Sequence, residues 1–343
     1  MRTYVIRRIV QAIPLLFGVS IILFLMMTSV GDPVSTMGGR QRVASKDRDR
    51  LVRQLGLDQP IHMQYLFWLV GNDWYRIDTD GDGDGDAYGT RQGVLRGDFG
   101  SSFRERRPAL DVIGDRIPAT LLLMITAEIL TVTLALVIGI YSALRQYTFA
   151  DNLITALAFI FYSMPIFWIA LSLLWIFSVQ FKQAGLPYLP TVGMFEPGKP
   201  VTPLEIARHM VLPVASLSLI SIAGYSRYIR ANMLEVINAD YIRTARAKGL
   251  SSRRVLWRHA LKNASLPLVT LIGLDLPFLV GGAVVTEQIF SWPGMGQLFI
   301  SSLDRADFPV LMGLLMLIAL LVVVFQIVTD LVYGWLDPRI RLT

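Results

Sequence analysis

The richest ligand chemistry in the chain lies in one run, Asp78-Thr79-Asp80-Gly81-Asp82-Gly83-Asp84-Gly85-Asp86. Alternating carboxylates and glycines suit a hard cation, because oxygen ligands must converge from a tightly turning backbone. Counted from Asp78, the first, third and fifth places are Asp and the sixth is Gly83, as an EF-hand asks. The twelfth place is then Gly89 instead of a bidentate Glu, and counted from Asp80 it is Arg91. Two readings stay open: a calcium loop through Asp78, Asp80, Asp82 and Asp84, or a flexible acidic turn. Two further carboxylates, Glu128 and Asp275, sit inside long apolar runs. At a bilayer centre each costs roughly 2.5–3.5 kcal/mol unless it faces water or a partner. They either line a translocation cavity or hold helices together as hydrogen-bonded carboxyls. Pro277, Gly281 and Gly282 follow Asp275 and suit a thinned or closely packed helix.

Other chemistry is missing. Gly193-Met194-Phe195-Glu196-Pro197-Gly198-Lys199 fits seven places of a phosphate-binding loop, but Pro200 replaces the hydroxyl that would hold Mg²⁺. Neither a His-Glu-x-x-His zinc site nor a Gly-x-Ser-x-Gly nucleophile elbow occurs. There is no cysteine, which excludes disulfides, thiolate metal sites and a thiol nucleophile. His62, His209 and His259 are too widely spaced to suggest a metal site. If the chain drives transport, nucleotide chemistry must come from partners.

The elements that would position these residues are membrane spans. Of 343 residues, 53% are hydrophobic and 17% charged, and the mean hydropathy is +0.51; a soluble protein with one or two cores is not this apolar. Arg2, Arg7 and Arg8 precede a run of about twenty apolar residues from Ile9, long enough for a hydrocarbon core of about 30 Å. A signal peptide has the same start, but no small-residue cleavage site follows, so a retained first span is expected. Residues 31–118 are polar and nearly neutral, with fourteen acids against thirteen Lys/Arg, and form an expected extracytoplasmic subdomain. Five more spans are expected at 119–144, 152–179 (carrying Pro165), 209–226, 266–286 and 309–332. The reading is an all-α membrane protein of about six spans with both termini cytoplasmic. Its parts are 1–30 with the first span, 31–118, and a five-span core over 119–343. The net charge of +6 is read as topology rather than nucleic-acid affinity.

Between the fourth and fifth spans lies a basic loop, 227–263. From Arg227 to Lys262 nine Lys/Arg face two acids, Glu235 and Asp240, the bias of a cytoplasmic loop. Asp240 to Lys248 reads as a short helix, Gly249 as its left-handed stop, and Ser251 or Ser252 as the cap of a second helix over about Arg253–Asn263. Taken alone, the stretch admits three readings. It could be a docking loop for a partner protein. Ala245, Gly249 and Val255 have the spacing of a DNA-binding helix-turn-helix. A basic loop at anionic lipid is the third. The flanks favour the first, because both ends run straight into apolar spans and leave no globular domain to present a recognition helix.

The residues Arg243-Thr244-Ala245-Arg246-Ala247-Lys248-Gly249-Leu250 resemble the cytoplasmic "EAA" loop of ABC importer permeases, in the variant of the peptide importers. Only one alanine and the glycine match the general form. Other segments are similar to the same family: Leu55 to Pro60 with Gln64-Tyr65, Arg96 to Ser102, Phe290-Ser291-Trp292-Pro293-Gly294-Met295-Gly296, and the tail Asp337-Pro338-Arg339-Ile340-Arg341. The Asp/Gly-rich insert has no counterpart there. The resemblance implies a type I ABC importer permease. Its partners would be a second homologous permease, two ATPase subunits that carry ATP and Mg²⁺, an extracytoplasmic substrate-binding protein and the surrounding lipid, with no nucleic acid. It implies transport by alternating access in the cytoplasmic membrane, with Arg243, Thr244, Ala245, Lys248, Gly249 and Leu250 as the contacts to the ATPase. The alternative is an ion- or proton-coupled carrier that uses Glu128 and Asp275 as relays and needs no ATPase.

Overall fold

The computed structural model describes residues 2–30, 52–53, 56–78, 84–265, 268–269, 271–273, 275 and 284–336. By proximity the chain falls into two compact units. One holds Met1–Tyr4, Ala119–Gln297 and Val322–Thr343, and the other Val5–Pro118 and Leu298–Leu321.

The second unit begins with α1 (Arg2–Val30), which is helical throughout with Pro14 inside it. Helix α2 (Ile61–Val70) ends at Gly71 with φ +100. Phe24 of α1, Trp68 of α2 and Met312 share one small core, and the Ser20 Oγ and Tyr65 Oη lie 2.7 Å apart in a hydrogen bond. The fold is not purely helical. Strands β1 (Arg76–Ile77) and β2 (Ala87–Tyr88) pair antiparallel, Arg76 opposite Tyr88. The described residues of the acidic run, 78 and 84–86, follow β1 and precede β2. Arg96 donates to both carboxylate oxygens of Asp73, at 2.6 and 2.7 Å, and the Ser102 hydroxyl donates to Asp307 at 2.5 Å. Helix α3 (Ala109–Gly114) buries Ala109, Val112 and Ile113.

The first unit is built on α4 (Ile117–Leu144), α5 (Phe149–Ser163), α6 (Ile166–Leu174) and α7 (Pro203–Ile237). The expected third span is not one helix. Pro165 lacks an N–H and drives Met164 out of the helical region, to φ −83 and ψ 135. Fifteen residues of α5 rise only about 22 Å, short of a bilayer core. The helical stretch after the break, Ile166–Gln183, has eighteen residues and is long and apolar enough to cross. The fourth helix is longer than expected: α7 starts with Thr202 capping the Glu205 N–H at 3.2 Å and Pro203 in its first turn, and runs to Ile237. Helices α11 (Val284–Ile289), α12 (Met295–Asp304) and α13 (Phe308–Leu336) close the chain. Among the described residues five helical stretches are long and apolar enough to cross a membrane: 5–29, 109–144, 166–183, 203–237 and 308–332. The expected span 266–286 falls mostly outside the described residues, as do Pro277, Gly281, Gly282 and the tail from Asp337.

Helices α4 and α7 cross closely because α4 presents a small-residue stripe, Ala135, Gly139 and Ala143, at four-residue spacing. A Cβ on Gly139 would stand 2.8 Å from both the Ile229 Cβ and the Ser226 carbonyl oxygen. Replacing Gly139 with leucine is expected to force the helices apart and destabilise the protein by about 1–3 kcal/mol, the usual cost of overpacking. A lowered unfolding temperature in detergent checks this.

Candidate functional site

The loop after α7 folds as a helical hairpin. Helix α8 (Asp240–Ala247) sets Ile242 and Ala245, three residues apart, on one face. Both are buried, in a core with Ile229 and Met233 of α7 and with Val255 and Ala260. The outward face carries Arg243, Thr244, Arg246, Ala247, Lys248 and Gly249, all exposed. Gly249 takes φ +77, the left-handed conformation expected at this stop. Its N–H donates to the Arg246 carbonyl at 2.9 Å, and that of Leu250 to the Ala245 carbonyl at 3.3 Å. This pair of bonds is a Schellman cap, sealed by the apolar contact of Leu250 with the same core.

The second helix starts as α9 (Ser252–Arg254), widens into a π-helical turn (Val255–Ala260) and ends as α10 (Leu261–Ala264). Ser251 occupies the cap position, but neither it nor Ser252 makes the expected side-chain capping bond. The Asn263 side chain donates to the Tyr241 hydroxyl at 3.2 Å and ties the two helices together. Arg253, Arg254, Arg258 and Lys262 are exposed, as is Trp257 at 57%. The hairpin thus offers a cationic surface with two exposed aromatic rings, Tyr241 and Trp257.

Four of the six expected contacts, Arg243, Thr244, Lys248 and Gly249, lie on this outward face. Ala245 does not. It is 6% exposed, within the chain's own core, and Leu250 is partly buried against it. A small side chain suits close packing at either surface, and here the intramolecular core takes it.

Below the hairpin stands an ion pair that sequence reading missed. Asp151 is 1% exposed. It accepts from Arg230 Nε and Nη2 at 2.9 and 2.8 Å and from the Tyr147 N–H at 2.9 Å, and the Ser142 hydroxyl donates to the same carboxylate. The Arg230 guanidinium holds the Asp151 carboxyl well below the usual carboxylate range, with Ser142 and the Tyr147 amide acting the same way. The cluster fixes the α4–α5 turn to α7 two turns before the hairpin. The local signal was only Thr148, which caps the Asp151 N–H at 3.3 Å.

Glu128 and Asp275, the two carboxylates singled out in the sequence, act on one another. The Tyr225 hydroxyl of α7 donates to Asp275. Glu128 of α4 is close enough to interact with Asp275 electrostatically, and among the described residues its buried Oε1 has no hydrogen-bond partner. Tyr225 was not picked out in the sequence.

The Ser-Trp-Pro-Gly-Met-Gly segment is locked by another buried carboxylate. Glu287, fully buried, accepts from the Thr120 hydroxyl at 2.8 Å and from the Gly296 and Gln297 amides at 2.7 and 3.1 Å, capping α12. Trp292 donates from its indole to the Ala119 carbonyl at 2.8 Å. A Cβ on Gly294 would stand 2.4 Å from the Glu287 carboxylate, which explains the glycine. By contrast, 193–199 is an irregular loop in which Lys199 pairs with Glu196. Of the calcium candidates, Asp78 and Asp84 flank the ribbon's loop, while Asp80 and Asp82 lie outside the described residues.

Residues 135–342 match the family described as "Binding-protein-dependent transport system inner membrane component", and residues 1–124 match its N-terminal counterpart. The chain belongs to this family. The membrane-embedded fold is that of a type I ABC importer permease, and the hairpin after α7 falls inside the matched region. Family members similar to it along their whole length include the oligopeptide transport system permease protein AppB of Bacillus subtilis, 39% identical over 343 residues, covering 99% of this chain and 100% of the relative. The dipeptide transport system permease protein DppB of Escherichia coli K12 is 34% identical over 358 residues, with 99% of each chain covered. The di/tripeptide permease protein DppB of Pseudomonas aeruginosa is 35% identical over 358 residues, again with 99% of each covered.

Proposed function

We propose that this chain is the permease subunit of an ATP-driven peptide importer in the cytoplasmic membrane, with both termini and the 227–263 hairpin on the cytoplasmic side. The match along the full length of peptide permeases is the observation that carries this reading. The partners are a second homologous permease, two ATPase subunits and an extracytoplasmic substrate-binding protein. ATP binding closes the ATPase pair, and its cleft moves the exposed face of α8. Through the buried Ile242 and Ala245 that motion reaches α7 and α4. Each nucleotide state then favours one permease conformation through its own contacts, which is what coupling requires. Glu128 and Asp275 line the path for the peptide, and Tyr225 holds Asp275 in place. The relatives give no support to a carrier that works without an ATPase.

Membrane vesicles that contain the assembled importer and a labelled dipeptide test this. Uptake should stop when ATP is removed while a proton gradient is held. Uptake that continues on the gradient would overturn the assignment.

A further inference from the structure

Within the unit that contains α1 and α2 there is a half-open recess with an empty volume of ≈ 710 Å³, including the part open to solvent. Its wall is mainly aromatic and apolar: Phe24, Trp68, Phe99, Phe103, Phe308 and Met312. This composition suits a ligand of largely apolar character fixed by a few polar groups, lying partly outside the recess. Two of the polar residues on the wall are already satisfied. The Gln64 side chain donates to the Leu57 and Gln59 carbonyls at 3.0 and 2.8 Å, and the Thr28 hydroxyl to the Phe24 carbonyl at 3.0 Å.

Arg91 differs. Its backbone is clamped on both sides by Asn72, whose Oδ1 accepts the Arg91 N–H at 2.9 Å and whose N–H donates to the Arg91 carbonyl at 3.0 Å. The guanidinium is therefore held at the recess, yet among the described residues none of the hydrogen bonds or ion pairs engages it. Asp98 is the acid that acts on it, but Asp98 already accepts the Gln92 and Gly100 amides at 2.9 Å each. Burial pushes the Arg91 guanidinium below its ordinary range, and Asp98 opposes this only in part. A cation against apolar walls whose neighbouring acid, Asp98, is already engaged by two amides is only partly compensated, and an anion in the recess would add to that compensation.

We propose that the recess binds an anionic phospholipid, with its phosphate on Arg91 and an acyl chain along Phe24, Trp68, Phe308 and Met312. The place argues for lipid over a soluble anion. The recess lies at the end of α1 and the start of α13, both long enough to cross a membrane. Beside it α1 exposes Ile22, Leu25 and Met26, at 58%, 44% and 59%, an apolar surface continuous with a bilayer.

The test uses the full chain in its purified assembly. Dioleoyl phosphatidylglycerol, dioleoyl phosphatidylcholine and inorganic phosphate are compared by native mass spectrometry and by the shift in unfolding temperature. Phosphatidylglycerol should stay bound and raise the unfolding temperature, and the other two should not. Arg91→Gln should weaken phosphatidylglycerol binding by about tenfold or more, the loss expected for a charge-assisted hydrogen bond. Thr28→Trp, which fills the recess and leaves Arg91 in place, should lose the retained lipid as well. Equal retention by the wild type and both variants would overturn the proposal. So would a shift produced by phosphate alone, which marks a free-anion site, or equal binding of the two lipids.

Discussion

Gly249→Val leaves the protein at its normal level in the membrane and abolishes uptake. Gly249 has φ +77, where a Cβ costs roughly 1–2 kcal/mol and a branched one fits worst. The two Schellman bonds, to the Ala245 and Arg246 carbonyls, weaken as the backbone leaves that region. The change stays local, because a Cβ at Gly249 meets nothing within 4 Å in this chain and the core beneath α8 is made by other residues. Insertion depends on apolar length and flanking charge, which the substitution does not alter. The loss of transport therefore reads out a surface outside the chain. Gly249→Ala, with the same φ conflict and less bulk, should retain part of the activity. Uptake and ATPase co-purification, measured side by side at equal membrane level, check both variants. A DNA-binding hairpin would instead change DNA affinity with transport intact, and a carrier would lose little uptake.

Arg230→Ala should be the most destabilising single change in the first unit. It strips the buried Asp151 carboxylate of its guanidinium, and removal of one partner from a buried pair costs about 3–5 kcal/mol. The double variant Asp151→Ala with Arg230→Ala should recover part of that loss, since no charge is left stranded. Thermal unfolding of the detergent-solubilised protein gives both values. The pH dependence follows from the depressed carboxyl. A group whose folded pKa lies below its unfolded value of about 3.9 stabilises fully above that value. The contribution of Asp151 is then lost only as pH falls below about 4, toward its lower folded value, and is constant across neutral pH.

The sequence made four of the spans legible, those at 9–28, 119–144, 209–226 and 309–332, because apolar length and flanking arginine are local signals. It also made the hairpin's hinge legible, since a glycine between a basic helix and a serine has few other uses. It hid whatever depends on distance along the chain. Asp151 meets Arg230 across 79 residues, Glu287 meets Thr120 across 167, and Tyr225 meets Asp275 across 50; no local pattern announces such pairs. Pro165 was visible, but a proline inside an apolar run fits either a kinked span or two helices, and the geometry of Met164 decides for two. Ala245 was placed on the partner face because small residues permit docking. Its spacing of three from Ile242 was the signal for the inner face.

The most direct test of the proposed coupling role of the hairpin uses the absence of cysteine from the chain. A single cysteine is placed at Thr244, on the exposed face of α8, and another, separately, at Ala245, which is buried beside it. Each assembly is then treated with a short thiol–amine crosslinker with and without ATP. The cysteine at 244 should join an ATPase subunit in a yield that changes with nucleotide, and the cysteine at 245 should stay unreacted. An importer that moves peptide while the cysteine at 244 crosslinks to no ATPase subunit in either state would contradict the account.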